Sequence, residues 1–105
     1  MQHHAAWAFI IVDMTGKNTD YADVLDAVEN VNADTVYILP NNKNIILATE
    51  QAAHMSEDKK IVVIPTKTVP QGITAVINFV PELSVDENTD TMIEEIKSVS
   101  TGQVT

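Results

Sequence analysis

Two polar loops, each carrying one lysine, contain the residue types of this chain that are best suited to bind a ligand or a partner. Each loop follows an apolar run that ends in proline, at 36–40 for the first loop and at 61–65 for the second. In a parallel α/β sheet such loops lie at the carboxyl ends of the strands, the edge where ligands and partners bind. The sequence therefore predicts one binding surface made of Asn41, Asn42, Lys43, Asn44, Thr66, Lys67, Thr68, Gln71 and Gly72.

The first loop, 41–44, precedes a predicted helix. Backbone N–H groups and the helix dipole attract anions at such a position, and Lys43 would add a positive charge. Asparagine also adopts left-handed turns and caps helices whatever the function of the protein. A purely structural role for Asn41, Asn42 and Asn44 therefore stays open.

The second loop lies between Pro65 and Pro70. Each proline fixes its own φ and restricts the residue before it, so the loop is expected to be stiff. A rigid polar loop offers a preformed surface, which lowers the entropy cost of binding. The alternative interpretation is a stiff connection into a helix that begins near Gln71.

Asp13 ends the first predicted strand and could join the same edge as a base or a metal ligand, although an aspartate there also closes a turn. With Lys43 or Lys67 it would form a small-anion or phosphate-ligand site, or the site of an enzyme. The chain contains none of the motifs GxGxxG, GxxxxGK(S/T), GxSxG or HExxH. No paired carboxylates at metal-ligand spacing follow a predicted strand. We therefore predict no catalytic residue, no metal site and no cofactor in this chain.

Charge excludes several classes of function. The chain has 15 acidic residues against six lysines and no arginine, which gives a net charge of −9. Nucleic acids and anionic membranes require a basic face, and guanine recognition favours arginine, so neither nucleic-acid binding nor membrane insertion is expected. No cysteine is present, which excludes a disulfide framework. No apolar run reaches membrane-spanning length, and the predicted location is cytoplasmic.

Hydrophobic periodicity predicts the element order β-α-β-α-β-α-α. Strands are expected at 7–12, 35–39 and 61–64, and helices at about 20–31, 44–55, 71–79 and 89–99, with 80–87 as a connector. In the third helix Ile73, Val76 and Ile77 are expected to face inward. Strands that alternate with helices form a parallel sheet, so we predict one α/β domain over 1–105, a small three-layer α/β/α structure with a narrow, mainly parallel sheet. Because a narrow sheet leaves two edge strands, we expect either a homodimer through a sheet edge or a place within a larger multidomain protein.

Two loop motifs are specific enough to indicate a family, namely Pro-Asn-Asn-Lys-Asn at 40–44 and Pro-Thr-Lys-Thr-Val-Pro-Gln-Gly at 65–72. The runs 31–36, 50–53 and 100–105 fit the same family. On these residues, from about Asp20 to its end, the chain resembles the bacterial fatty acid kinase family. Members of that family carry an amino-terminal dihydroxyacetone-kinase-like (DhaL-like) domain and have also been called Dak phosphatases.

The resemblance implies that the chain is a segment of the family's carboxy-terminal region. That region is similar in fold to the DegV-like fatty-acid-binding proteins and is implied to engage such an acyl-carrying partner. The resemblance also implies that ATP and magnesium bind in an amino-terminal domain, and that a histidine pair important for activity lies in a middle domain, both outside this chain.

Three hypotheses about function follow. The first is a non-catalytic module that binds a DegV-type fatty-acid-binding protein through the two loops. The second is a small-anion or phosphate-ligand domain, or an enzyme, that uses Lys43 or Lys67 with Asp13. The third is a degenerate fragment that only folds and dimerises.

Overall fold

A computed structural model describes residues 5–12, 21–55 and 59–99 of the protein. Its elements, in chain order, are β1 (Ala5–Ile11), α1 (Tyr21–Asn30), β2 (Ala33–Leu39), α2 (Lys43–Met55), β3 (Lys60–Val63), α3 (Val69–Ile77) and α4 (Val85–Lys97). The predicted α/β fold and the order β-α-β-α-β-α-α are confirmed.

The three strands form one parallel sheet in the order β1-β2-β3. Ile11 of β1 is opposite Leu39 of β2, and Ile38 of β2 is opposite Val63 of β3. A helix connects each strand to the next and returns the chain to the starting edge, as a parallel pair requires. All three strands therefore end at the same edge of the sheet, called here the carboxyl edge.

Strand β2 contributes to both layers of the core because successive side chains point to opposite faces of a sheet. Val36 and Ile38 pack in the cluster that contains residues of α1 and α2. Tyr37 and Leu39 pack in the cluster that contains residues of α3 and α4. All four are almost completely buried, and full burial of an aliphatic side chain such as Ile38 stabilises the fold by about 1.5–3 kcal/mol.

Four of the five aromatic side chains hold the end of α3 against β1 and β2. The ring of Phe79 lies edge-on to the rings of Phe9 and Tyr37, with centroid distances of 5.1 and 5.3 Å. Its centroid is 4.6 Å from that of Trp7. These tilted and edge-to-face arrangements are the ones that aromatic pairs favour. Burial raises the pKa of Tyr37 above its ordinary value of 10.0, because the phenolate would lose its hydration.

Helix α4 begins at Val85, earlier than the start near 89 that the sequence analysis predicts. The cause is a capping box. Ser84 Oγ accepts a hydrogen bond from the N–H of Glu87 at 3.1 Å, and Glu87 Oε1 accepts one from the N–H of Ser84 at 3.1 Å. Placing 80–87 entirely in a connector was therefore wrong, and the missed signal is the spacing Ser-x-x-Glu.

Helix α3 begins at Val69, ahead of the predicted start at Gln71. Thr68 is its N-cap, and Thr68 Oγ1 accepts a hydrogen bond from the N–H of Gln71 at 3.3 Å. Pro70 lies in the first turn, where a backbone N–H has no partner within the helix, so its lack of one costs little.

The buried face of α3 also differs from the prediction. Gln71, Gly72 and Ala75 are its buried residues, whereas Ile73 and Ile77 are exposed. The expectation that Ile73 and Ile77 face inward was therefore wrong. The helix instead directs a polar and a small side chain towards the protein and its largest aliphatic side chains towards solvent.

Buried Asn88 fastens the connection between α3 and α4. Its Oδ1 accepts from the N–H of Val80 at 2.8 Å, and its Nδ2 donates to the carbonyl oxygen of Val80 at 2.8 Å. Both backbone groups of Val80 in the connector are thus bonded to one buried side chain. Asn88 thereby ties the first turns of α4 to the end of α3.

We expect Asn88→Asp to lower the free energy of unfolding by at least about 2 kcal/mol. The substitution replaces the donor to Val80 with a carboxylate oxygen and buries a charge. Urea denaturation measures the loss. Asn30→Asp is the matched control, because Asn30 makes its side-chain bond to Asp26 on the exposed surface and should lose less than about 1 kcal/mol. Equal losses in the two variants would contradict this role for Asn88.

Candidate functional site

A hydrogen bond joins the two predicted loops at the carboxyl edge. The N–H of Asn41, which follows β2, donates to Thr66 Oγ1, which follows β3, at 2.9 Å. Asn41 has a φ of 58°, in the left-handed region that asparagine adopts more readily than most residues. Thr66 is completely buried. The two loops therefore form one continuous surface.

The first loop leads directly into α2. The N–H of Ile45 donates to the carbonyl oxygen of Asn42 at 3.0 Å, which closes the first turn of the helix. Lys43 is the first residue of α2, and its side chain is exposed. Asn44 belongs to the same turn. Lys43 is thus the charged group that this loop presents to solvent.

In the second loop, the predicted binding residues Lys67 and Gln71 are hydrogen-bonded to each other. Gln71 Oε1 accepts from the N–H of Lys67 at 2.6 Å, and Gln71 Nε2 donates to the carbonyl oxygen of Ile96 at 3.1 Å. Gln71 thereby connects the loop to the last turn of α4. The side chain of Lys67 is exposed, so within this loop Gln71 positions the backbone and Lys67 faces solvent.

Gly72 and Asn41 bring the loops into van der Waals contact. A Cβ on Gly72 would overlap the Oδ1 atom of Asn41 and would lie 3.0 Å from its Cγ. The same Oδ1 atom is buried and has no hydrogen-bond partner among the described residues. Only glycine at position 72 allows this amide to lie against α3.

An apolar cleft beside the two loops was missed by the sequence analysis. It has a volume of about 190 Å³ and its walls are almost entirely apolar. The residues around it come from β1, from the first loop and from α3, and are Ile11, Asn41, Val69, Gly72, Ile73, Val76 and Ile77. The spacing of four residues between Val69, Ile73 and Ile77 was the available signal, but the sequence analysis placed Val69 in the loop and predicted that Ile73 and Ile77 face inward.

One predicted site residue lies outside the described residues, and two kinds of feature are absent from the described ones. Asp13, predicted to join Lys43 or Lys67, is outside the described ranges. Within 5–12, 21–55 and 59–99, no three His, Asp or Glu side chains are grouped so that they could hold a metal ion. No helix in these ranges has the length and apolarity needed to cross a membrane.

The geometry supports binding at the carboxyl edge. Exposed Lys43 and Lys67 lie on loops that Thr66 and Gln71 hold in place, next to a cleft that can receive an apolar group. Polar residues fixed by hydrogen bonds form a preformed surface, and a preformed surface loses little conformational entropy on binding. The described residues therefore combine a rigid base, positive charge and an apolar recess.

Comparisons with known proteins show the family to which the chain belongs. The family model for the FakA-like C-terminal domain of fatty acid kinases matches residues 3–105. Protein YloV of Bacillus subtilis (strain 168) is 50% identical over 88 residues, which make up 84% of this chain and 16% of that protein.

Two staphylococcal proteins match over the same length. An uncharacterized protein of Staphylococcus saprophyticus is 42% identical over 88 residues, and one of Staphylococcus aureus (strain USA300) is 39% identical over 88 residues. In both matches the aligned residues are 84% of this chain and 16% of the relative. The chain thus spans only a small part of the length of the curated relatives that it matches.

We expect Thr66→Val to lower stability by about 1–3 kcal/mol, because the N–H of Asn41 loses its acceptor. Hydrogen exchange followed by NMR measures the effect at this bond, and the Asn41 amide should exchange faster in the variant. Thr66→Ser keeps the hydroxyl and should keep the amide protected. Unchanged protection of the Asn41 amide in Thr66→Val would contradict the proposed link between the loops.

We expect Gly72→Ala to lower stability by about 1–3 kcal/mol, because the added methyl group must displace the Asn41 amide. Asn41→Gly removes that amide, and glycine tolerates the positive φ at this position. In a double-mutant cycle measured by urea denaturation, the double variant should therefore lose less stability than the sum of the two single variants. Additive losses would show that the contact between Gly72 and Asn41 is not the cause.

Proposed function

Because the chain belongs to the FakA-like C-terminal family of fatty acid kinases, we propose that it is a non-catalytic module that binds an acyl-carrying protein of the DegV type. Binding takes place through the loops at the carboxyl edge. The observation that carries this proposal is the hydrogen bond from Asn41 to Thr66, which joins both family-specific loops into one surface.

The proposal places phosphoryl transfer elsewhere in the parent protein. The chain covers 16% of its relative in Bacillus subtilis, and ATP and magnesium would bind in a different domain of such a protein. The role left for this module is to hold the acyl-carrying partner near that domain. A cytoplasmic location belongs to the same proposal, and so does a homodimer through the open edge of β1 or β3.

The arrangement of α3 argues against the alternative of a phosphate site at its N-terminus. Such sites use free backbone N–H groups of the first turn. Here the N–H of Gln71 donates to Thr68 Oγ1, the N–H of Gly72 donates to the carbonyl oxygen of Thr68 at 3.1 Å, and Pro70 has no N–H. An anion at the N-terminus of α3 would have to displace the helix cap, which favours a protein partner at the second loop.

We expect the purified chain to bind a DegV-type fatty-acid-binding protein with micromolar or tighter affinity in calorimetric titration. The partner is tested both loaded with fatty acid and empty. The double variant Lys43→Ala, Lys67→Ala should weaken binding about tenfold, since two charge contacts of up to about 1 kcal/mol each are lost.

The variant Lys60→Ala is the control for the lysines of the loops. Lys60 pairs with Asp86 of α4 and begins β3, at the strand end opposite the loop that carries Lys67, so this variant should bind as the wild-type chain does. If neither the loaded nor the empty partner produces heat, the proposed function is wrong, and inorganic phosphate is the next ligand to titrate.

A further inference from the structure

A stripe of exposed aliphatic side chains runs along α3. It consists of Val69, Ile73 and Ile77, which are 58%, 58% and 74% exposed, and is called here the α3 stripe. Ile11, at the end of β1 and 60% exposed, lines the same cleft. Single exposed aliphatic residues are common on proteins, but a contiguous group around a recess marks an interaction surface.

The cleft beside the stripe has the size of one side chain. Its volume of about 190 Å³ is slightly larger than the apolar cavity of about 150 Å³ that holds benzene in an engineered protein. One leucine, methionine or phenylalanine side chain from a partner would fill it. Protein interfaces commonly concentrate their binding energy in such an anchor, which enters a pocket near the centre of the contact.

Two of the three segments around the cleft contain no acidic residue; the third contains Ile11, which is two positions from Asp13, a residue outside the described ranges. The chain carries a net charge of −9, yet the segments 35–49 and 61–81, which contain both loops and α3, have no acidic residue and two lysines. Lys43 and Lys67 are each two positions from a residue that lines the cleft, Asn41 and Val69 respectively. Their backbones therefore lie within about 7 Å of it.

Screening by salt limits which of these charges act on a docked partner. The Debye length at physiological ionic strength is about 8 Å, so exposed charges farther away act weakly on a group that is already in contact. The backbones of Lys43 and Lys67 are within that distance of residues that line the cleft. The acidic residues of α4 are not among the residues that line the cleft.

We propose that the α3 stripe and the cleft form the docking surface for a partner protein that inserts one large apolar side chain and places carboxylates opposite Lys43 and Lys67. The identity of that partner rests on the proposed function, but the surface and its chemistry do not. The complementary face on the partner is therefore an apolar residue surrounded by Asp or Glu.

Two other occupants fit the surface less well. A second copy of the chain, placed stripe against stripe, would bring the lysines of both copies together and would offer no carboxylate from the acid-free segments. An anionic membrane would gain about 1 kcal/mol from each of the two lysines, but it would meet a chain of net charge −9. Both remain outcomes that the experiment can detect.

The test uses two short helical peptides with one central leucine, flanked by glutamates in one peptide and by lysines in the other. Binding to the whole chain is followed by NMR chemical shifts. We expect the acidic peptide to shift the amides of α3 and to bind about tenfold more tightly than the basic one. Equal or tighter binding of the basic peptide overturns the proposal, and so does the absence of binding by both.

Two variants locate the contact. Ile73→Glu places a charge in the middle of the α3 stripe and should abolish binding of the acidic peptide. Leu47→Glu is the matched control, because Leu47 is an aliphatic residue on α2 that is 66% exposed and lies outside the cleft. Both positions are exposed, so both variants should fold. Loss of binding in Leu47→Glu, or its retention in Ile73→Glu, contradicts the proposed surface.

The same variants separate this inference from the proposed function. If the acidic peptide binds at α3 and a DegV-type protein does not bind, the surface stands and the proposed function fails. If the DegV-type protein binds Ile73→Glu as tightly as the wild-type chain, the proposed function stands and this inference fails. Phosphatidylglycerol vesicles and sedimentation of the chain alone complete the test, since binding or self-association that depends on Ile73 would overturn it in favour of a membrane or a second copy.

Discussion

The fold depends on one constraint, which is that β2 must be buried on both faces and paired on both edges. Val36 and Ile38 pack towards α1 and α2, while Tyr37 and Leu39 pack towards α3 and α4. Neighbouring strands satisfy the backbone groups of β2 on either side. A sheet of three strands has only one strand that can meet both conditions. The positions of all four helices, and of the loops at the carboxyl edge, follow from it.

Much of the fold could be predicted from the sequence, because apolar runs bounded by prolines and charged turns give a clear β-α alternation. Errors arose where side-chain hydrogen bonds outweigh the hydrophobic pattern. The capping box of Ser84 and Glu87 extends α4 towards its N-terminus. Gln71 is buried in α3 because both ends of its amide find backbone partners. A pattern that treats every polar residue as exposed cannot find that arrangement.

The sequence analysis correctly predicted that the two loops follow neighbouring parallel strands, and it missed the cleft beside them. That the loops follow neighbouring parallel strands could be read from their sequence positions. The bond between Asn41 and Thr66 joins residues 25 positions apart, and the contact between Gly72 and Asn41 is also tertiary. No local signal indicates either one. The cleft was missed because isoleucine usually lies in a protein core. Only the packing of α3 shows that Ile73 and Ile77 face solvent.

The residues at the carboxyl edge divide into two groups with different physical roles. Thr66, Gln71 and Gly72 are buried and use their polar or steric properties within the protein, so substitutions there act mainly through stability. Lys43, Lys67 and Ile73 are exposed and contribute little to the core. Exposed isoleucines beside two acid-free segments increase the risk of aggregation. The proposed recognition of a partner with complementary chemistry is a reason for keeping them.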